Sequence, residues 1–232
     1  MLELATAMYD EAIVGKDESG PADLVVVMDD VELGNLGQER VIAQHYINAV
    51  KRVLQQKSPS SSFPLGVLFR QKCSFHLFKP LPEAYFFGDP SALRQAGVGS
   101  ASIPPHLVHP TDVEQFESND PAWLSVCYGE NTRRRKEIPW WSHERHPKHY
   151  LDYLVHVNNL DYSETIQGKL ALQNLNWRAV PKGELDTPLI RSLFQDIADW
   201  FQIPNPIGNG SLDPSFYPPS SVHSSSLVLR NM

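Results

Sequence analysis

Three acidic residues follow the most apolar run of the chain. Five consecutive apolar residues, Leu24 to Met28, lead directly into Asp29, Asp30 and Glu32. A short apolar run bounded by polar residues is typical of a buried strand. Ligands of open α/β sheets bind just beyond the carboxyl ends of such strands. The three acids are therefore a candidate cation site, and the alternative is that they only cap the next helix.

Glu83 is a lone carboxylate at the start of a predicted helix, and the apolar group Ala84 to Phe87 follows it. A carboxylate set among aromatic side chains is costly to bury unless it is paired or bound to a metal. Glu83 is thus either a site residue or a solvent-facing residue of an amphipathic helix. A second helix start follows at Asp89, which precedes a proline.

The densest polar segment runs from Asn131 to Val155 and combines four adjacent positive charges with two tryptophans. Basic residues interleaved with aromatic residues are the ingredients of a surface for single-stranded nucleic acid. The alternative is a solvated, charged loop. The candidate nucleic-acid-binding residues are Arg133, Arg134, Arg135, Lys136 and Lys148.

A sheet and several helices must position these side chains. The first strand and an amphipathic helix from Gln38 to about Gln56 form half of a βαβ unit. Pro64 to Phe78 predicts one or two further strands, and Ser100 to Asn119 predicts an exposed, irregular loop. Because Leu24 to Met28 lacks the alternation of a half-exposed strand, it is expected in the interior of a mostly parallel sheet. Further helices are predicted over Leu2–Val14, Pro147–Leu154, Asp161–Asn176 and Pro188–Gln202, the last with Thr187 as its N-cap.

Composition and length bound the class of protein. The net charge of -7 does not favour nucleic acid overall, so binding of a polyanion requires a local basic patch or divalent ions. Cys73 and Cys127 stand alone without Cys-x-x-Cys spacing, which does not support a disulfide framework or a thiolate zinc site. No apolar run reaches the roughly 18 residues of a membrane span, and no signal peptide precedes the domain. A cytoplasmic protein with no membrane partner is expected.

The chain divides into three predicted parts. Residues 1–21 form an N-terminal segment, and residues 22–202 form an α/β domain with helical additions. Residues 203–232 are rich in Pro, Asn, Gly and Ser and show no periodic apolar face. This last part is expected to be a disordered tail.

Four segments, in their order along the chain, resemble a family of uncharacterised bacterial proteins, the Toprim-like domain of unknown function 4276. The resemblance spans about residues 22–202. PEAYFFGD is similar to the family's segment Glu-Ala-Trp/Tyr-apolar-apolar-Gly/Ala-Asp, and HPKHYL is similar to its segment Pro-Lys-x-x-Leu. The four segments are VVVMDDVEL, PLPEAYFFGDPSAL, RHPKHYLDYL, and YSETIQGKLAL together with PLIRSLFQDIADWF.

The resemblance implies a Toprim/Rossmann-like α/β fold, with a mostly parallel sheet flanked by helices and a helical C-terminal part. Toprim domains hold Mg²⁺ for phosphodiester chemistry with one glutamate after the first strand and an Asp-x-Asp pair after a later strand. Asp30 and Glu32 can stand for the pair, with Asp29 as the alternative aligned acid, and Glu83 matches a motif glutamate expected near them. The glutamate of the first strand has no clear counterpart in residues 1–21. Either the chain begins downstream of that strand, or the acid has been lost.

Two functions follow from the resemblance. The first is Mg²⁺-dependent, nuclease-type chemistry on nucleic acid, with Asp29, Asp30, Glu32 and Glu83 as catalytic residues and the first three as metal ligands. The second is a non-catalytic interaction module that acts with a partner ATPase, for example in a defence system. The missing glutamate favours the second.

Overall fold

The computed structural model describes residues 1–15, 20–57, 62–134, 143–217 and 227–232, with residues 62–64 and 128–134 described by their backbone alone. Within these ranges, two strands and nine α-helices form a mixed α/β structure. None of these helices is both long and apolar enough to cross a membrane. The strands are β1 (Val25–Asp30) and β2 (Cys73–Phe78). The helices are α1 (Leu2–Tyr9), α2 (Glu39–Lys57), α3 (Ser62–Lys72), α4 (Glu83–Phe86), α5 (Pro90–Gln95), α6 (Pro121–Arg134), α7 (Pro147–His156), α8 (Lys169–Asn174) and α9 (Pro188–Phe201).

The two strands pair in parallel, with Val25 opposite Cys73 and Asp30 opposite Phe78. Helices α2 and α3 make the connection between them, which completes a βαβ unit. The predicted combination of parallel strands and helices is therefore confirmed. The carboxyl ends of both strands lie at the same edge, where the acidic loop begins.

Strand β1 is not the interior strand that its apolar run predicts. All six residues of β2 are buried, whereas β1 is half-buried and Met28 is 38% exposed. Val25 and Val27 pack against one cluster of buried side chains and Val26 packs against another, because successive strand residues point to opposite faces. Residues Val25 to Val27 of β1 are all apolar because both faces of this part of the strand are packed. Strand β1 is only half-buried because its outer edge has no partner strand among the described residues.

The prediction of strands over Pro64 to Phe78 is correct only for its second half. Helix α3 occupies the first half and runs directly into β2. A short apolar run cannot be assigned to a strand or a buried helix from periodicity alone. The packing of Phe69 accounts for the helix, because its fully buried ring lies in the cluster that also contains Tyr46 and Phe75.

The tail predicted to be disordered contributes buried side chains. Phe216, Leu229 and Asn231 are each 0% exposed. The Asn231 amide donates to the carbonyl oxygens of Phe75 (2.7 Å) and Phe216 (2.9 Å) and accepts from the Phe75 amide (3.2 Å). Composition does not reveal this, because isolated apolar residues without a period can still fill a core formed by other elements. The described parts of the tail, 203–217 and 227–232, pack on the folded domain.

The loop from Ser100 to Asn119 is irregular as predicted, but it is not wholly exposed. Val113, Glu114 and Phe116 are buried. The Glu114 carboxylate accepts from the backbone amides of Leu189 (3.0 Å) and Ile190 (2.8 Å) at the start of α9. Thr187 is the N-cap residue of α9 as predicted, but its side chain makes no capping hydrogen bond. The loop therefore supplies the cap from 75 residues away in sequence.

Candidate acid-lined site

A cavity of about 400 Å³ lies beyond the carboxyl ends of β1 and β2, where α/β folds usually bind ligands. Its wall combines carboxylates with basic and imidazole side chains from four separate parts of the chain. We call it the acid cavity. Its lining residues are Asp30, Glu32, Leu81, Pro82, Glu83, His146, Lys148, His149 and Glu164.

The ends of the strands position Asp30 and Glu32. Parallel pairing continues past β1, because the Val31 amide donates to Phe78 (2.9 Å) and the Glu32 amide donates to Pro80 (3.1 Å). Glu32 has φ 64° and ψ 153°. This backbone conformation is nearly restricted to glycine, and strained residues of this kind cluster at functional sites. The backbone thus holds a glutamate in a conformation that glutamate alone disfavours.

Glu83 begins α4 and lies in the same cavity as Asp30 and Glu32. It is 7% exposed, and the Tyr162 hydroxyl donates to its Oε1 atom (3.2 Å). Burial raises the pKa of Glu83, with the charge of Glu32 adding to the rise, while Lys148 and Tyr162 act in the opposite direction. Glu83 is therefore a buried member of the site and not a solvent-facing helix residue.

The carboxylates of the acid cavity repel one another. The pKa of Asp30 is raised to about 7, first by burial and then by the charges of Glu32, Glu83 and Asp29. A group in this state favours the neutral form unless a cation compensates the charge. The electrostatics of the acid cavity therefore favour the binding of a cation.

Asp29 does not line the acid cavity, although the sequence groups it with Asp30 and Glu32. Adjacent strand residues point to opposite faces, and the charge of Asp29 acts on Tyr46 in the core on the other side. The Oδ1 atom of Asp29 accepts from the Asp30 amide (3.0 Å). The structure thus brings together Asp30, Glu32 and Glu83 in place of the expected set Asp29, Asp30 and Glu32.

The described residues contain no group of three or more His, Cys, Asp or Glu side chains arranged closely enough to hold a metal ion by themselves. Mg²⁺ does not need such a group, because it usually takes one or two carboxylates and completes its octahedron with waters and substrate phosphates. The oxygen ligands of Asp30, Glu32 and Glu83 fit that chemistry. Protein ligands would supply only part of the coordination.

The start of α7 also lines the acid cavity, with Lys148, His146 and His149. Lys148 lies in the first turn of α7 and forms an ion pair with Glu164. His146 is the N-cap of α7, and its Nδ1 atom accepts from the His149 amide (3.4 Å). Burial, followed by the charges of His149, Lys148 and His143, lowers the pKa of His146 to about 3, so this imidazole is neutral at physiological pH. The start of α7 therefore presents a cation and a helix N-terminus, both of which favour an anion.

The other predicted basic residues are only partly described. Arg133 and Arg134 end α6 and are described by their backbone alone. Arg135 and Lys136 lie outside the described residues. Lys148, the predicted nucleic-acid contact whose side chain the structure describes, lines the acid cavity.

Sequence reasoning did not identify His146, His149, Tyr162 or Glu164 as site residues. The sequence feature that could have identified the two histidines is the motif HPKHYL, in which they are spaced three apart on either side of Lys148. Tyr162 lies 79 residues from Glu83, so only the fold brings their side chains together.

Replacing Asp30 by asparagine is expected to stabilise the metal-free protein by about 1 kcal/mol at pH 8. The reason is that the variant removes a half-buried charge that three other carboxylates repel. Functional sites are commonly less stable than the fold would allow. Urea unfolding in the presence of EDTA measures the change. Asp29→Asn is the matched control, and it should leave the unfolding free energy within about 0.5 kcal/mol of the wild type. A loss of stability in Asp30→Asn alone would contradict the proposed repulsion.

Comparison of the chain with family models, with curated proteins and with solved structures finds no match. The resemblance to the Toprim-like family therefore stays a prediction.

Proposed function

We propose that this chain is a Toprim-like protein that binds Mg²⁺ and a phosphodiester of nucleic acid in the acid cavity, for nuclease-type cleavage. One observation carries the proposal. Asp30, Glu32 and Glu83 share the cavity with Lys148 and the N-terminus of α7. A bound phosphodiester needs both kinds of group, because acids would hold the metal while the charge of Lys148 would meet the phosphate.

The carboxylates support the metal half of the proposal. Asp30 and Glu83 would be the ligands, with Glu32 as a third acid beside them. Mg²⁺ held there would polarise a phosphoryl oxygen and lower the pKa of a coordinated water. Its charge would also offset the burial and the carboxylate repulsion that raise the pKa of Asp30.

The start of α7 supports the phosphate half. A protein with a net charge of -7 repels nucleic acid overall, so local cations must offset that field. Lys148 now pairs with Glu164, and both side chains are well exposed, at 38% and 57%. Exposed pairs contribute only about 0–1 kcal/mol. Lys148 can therefore exchange Glu164 for a phosphate at little cost.

The second candidate function is the non-catalytic interaction module that acts with a partner ATPase. One observation favours it. Residues 2–14 form α1 and a π-helical turn, and no strand precedes β1 among the described residues. Among the described residues before β1, no strand offers the glutamate that Toprim domains supply after their first strand. A site with metal and phosphate ligands but without that acid would bind nucleic acid more readily than cleave it.

The test combines Mg²⁺ and Mn²⁺ titration calorimetry with cleavage of end-labelled single- and double-stranded DNA and RNA. We expect Asp30→Asn and Glu83→Gln to weaken metal binding at least about tenfold, which corresponds to about 1.4 kcal/mol. Metal-dependent cleavage by the wild type should be lost in both variants. Lys148→Ala should weaken binding of the oligonucleotide and leave metal binding nearly unchanged.

Asp29→Asn is the matched control, because it changes the neighbouring carboxylate on the opposite face of β1. It should retain both metal binding and cleavage. Equal losses in Asp29→Asn and Asp30→Asn would show that the acid cavity is not the site. Metal binding without cleavage would select the interaction module, and no metal binding at all would refute the proposal.

A further inference from the structure

A second groove lies between α6 and α7 and has a volume of about 290 Å³. Two aromatic side chains line it, and the other polar and apolar lining side chains are called its rim. We call it the aromatic groove. Its lining includes Trp123, Val126, His149, Asp152, Tyr153 and His156.

Tyr153 gives the aromatic groove a partly exposed aromatic side chain, and the buried Trp123 lies beside it. The rings of Trp123 and Tyr153 have centroids 5.4 Å apart and planes inclined by 42°. Trp123 is 6% exposed and Tyr153 is half-buried, so the two rings are held firmly. Rigid aromatic side chains of this kind provide stacking surfaces for planar ligands.

Trp123 also carries an unmet hydrogen-bond donor. Its buried Nε1 atom has no acceptor. Nearly all buried polar atoms in native proteins have a partner, so such an atom marks a position where a ligand or a water completes the hydrogen bonding. The rim adds the carboxylate of Asp152 and the imidazoles of His149 and His156, which together can accept and donate.

The aromatic groove adjoins the acid cavity. His149 lines both of them. A strand held in the acid cavity would therefore have the aromatic groove close to it.

We propose that the aromatic groove binds an unpaired nucleobase of the same nucleic-acid strand whose phosphodiester occupies the acid cavity. This inference rests on the proposed function and adds a substrate class to it, namely single-stranded nucleic acid. Every base has a flat π-face, which suits the aromatic side chains of the groove, and an edge of hydrogen-bond donors and acceptors, which suits its polar side chains. A base paired in a duplex does not expose its face, so a duplex cannot use the groove.

The experiment fills the aromatic groove without altering the acid cavity. Val126 is 45% exposed on the rim, and Val126→Trp would occupy the groove. Val157→Trp is the matched control, because Val157 is 58% exposed at the end of α7 and does not line the groove. Fluorescence anisotropy then measures binding of labelled single-stranded oligonucleotides in Mg²⁺ by the wild type, both variants and Asp30→Asn. A second oligonucleotide series carries one abasic site at successive positions.

We expect Val126→Trp to weaken binding about tenfold, as for the loss of one stacked base, and Val157→Trp to bind as the wild type does. One abasic position should weaken binding to the wild type by a similar factor and have little further effect on Val126→Trp. If Asp30→Asn weakens binding but neither Val126→Trp nor any abasic position does, the groove inference is wrong and the proposed function stands. If Val126→Trp and the abasic site weaken binding while Asp30→Asn and Mg²⁺ have no effect, the groove binds a base and the proposed chemistry fails. Absence of oligonucleotide binding by the wild type would overturn both.

Discussion

Replacing Asp196 by alanine is expected to lower the free energy of unfolding by about 3–5 kcal/mol at pH 7, as for other buried ion pairs that lose one partner. Asp196 lies on α9 and is 1% exposed. Its Oδ1 atom accepts from Arg230 Nε (3.1 Å), and its Oδ2 atom lies 3.3 Å from His76 Nε2. Arg230 also contacts the Trp200 ring at 5.1 Å. Truncation leaves a guanidinium and a buried imidazole without their shared acceptor.

Asp196→Ala should also change how the free energy of unfolding depends on pH. Burial by itself raises the pKa of Asp196, but hydrogen bonding and charge from His76, together with the charge of Arg230, more than offset this, so the pKa lies below its ordinary value. A carboxyl whose pKa is lower in the folded state contributes stability above its unfolded pKa of about 3.9 and loses it as the pH falls through the folded value. The difference in unfolding free energy between the wild type and Asp196→Ala should therefore be constant above about pH 5. It should become smaller below about pH 4.

Urea unfolding between pH 7 and pH 3 measures both effects. Asp199→Ala is the matched control on the same helix, because Asp199 is exposed and its carboxylate accepts from the side chain of Gln195 (2.7 Å). Its unfolding free energy should stay within about 0.5 kcal/mol of the wild type. Similar losses for Asp196→Ala and Asp199→Ala would contradict a structural role for the buried pair.

Replacing Glu114 by alanine is expected to lower the free energy of unfolding by about 3 kcal/mol at pH 5, because it removes a helix cap and leaves buried donors unsatisfied. Glu114 is 3% exposed. Besides the two amides of α9, its carboxyl contacts the hydroxyl of the fully buried Tyr85 at 3.1 Å. The variant thus affects the start of α9 and a central aromatic side chain together.

The cost of Glu114→Ala should decrease as the pH rises. Burial raises the pKa of Glu114 to about 7, with the charge of Asp112 adding to the rise, while the α9 amides and Tyr85 act in the opposite direction. A pKa that is higher in the folded state stabilises the fold below the unfolded value, and that contribution is lost as the pH rises through the folded value. The stability difference between the wild type and Glu114→Ala should therefore decrease between about pH 4.5 and about pH 7.

Chemical denaturation at pH 5 and pH 8 tests this dependence. Glu117→Ala is the matched control, because the pair of Glu117 with Arg145 is partly exposed, at 27% and 51%, and contributes only about 0–1 kcal/mol. A cost for Glu114→Ala that is the same at both pH values would show that the carboxyl does not titrate in this window.

The sequence alone determined the elements whose signals are local. The helices α2, α7 and α9 are predicted by apolar residues that repeat at the helical period. The starts of α5 and α7 are predicted by the prolines at their first positions. The resemblance placed Glu83 near the end of β1. The alternation of strand residues could also have separated Asp29 from Asp30, because two adjacent residues of a strand cannot face the same cavity.

Only the tertiary structure decided which residues are buried and which distant side chains meet. Strand β2 is the buried strand because helices cover it, and the polar Ser74 and His76 within it gave no sign of this. Glu114 reaches α9 across 75 residues, and Asp196 reaches His76 across 120. Periodicity reports the local environment of a residue, whereas these contacts depend on how the whole chain packs. The acid cavity has the same origin, since its carboxylates and Lys148 come from segments that only the fold brings together.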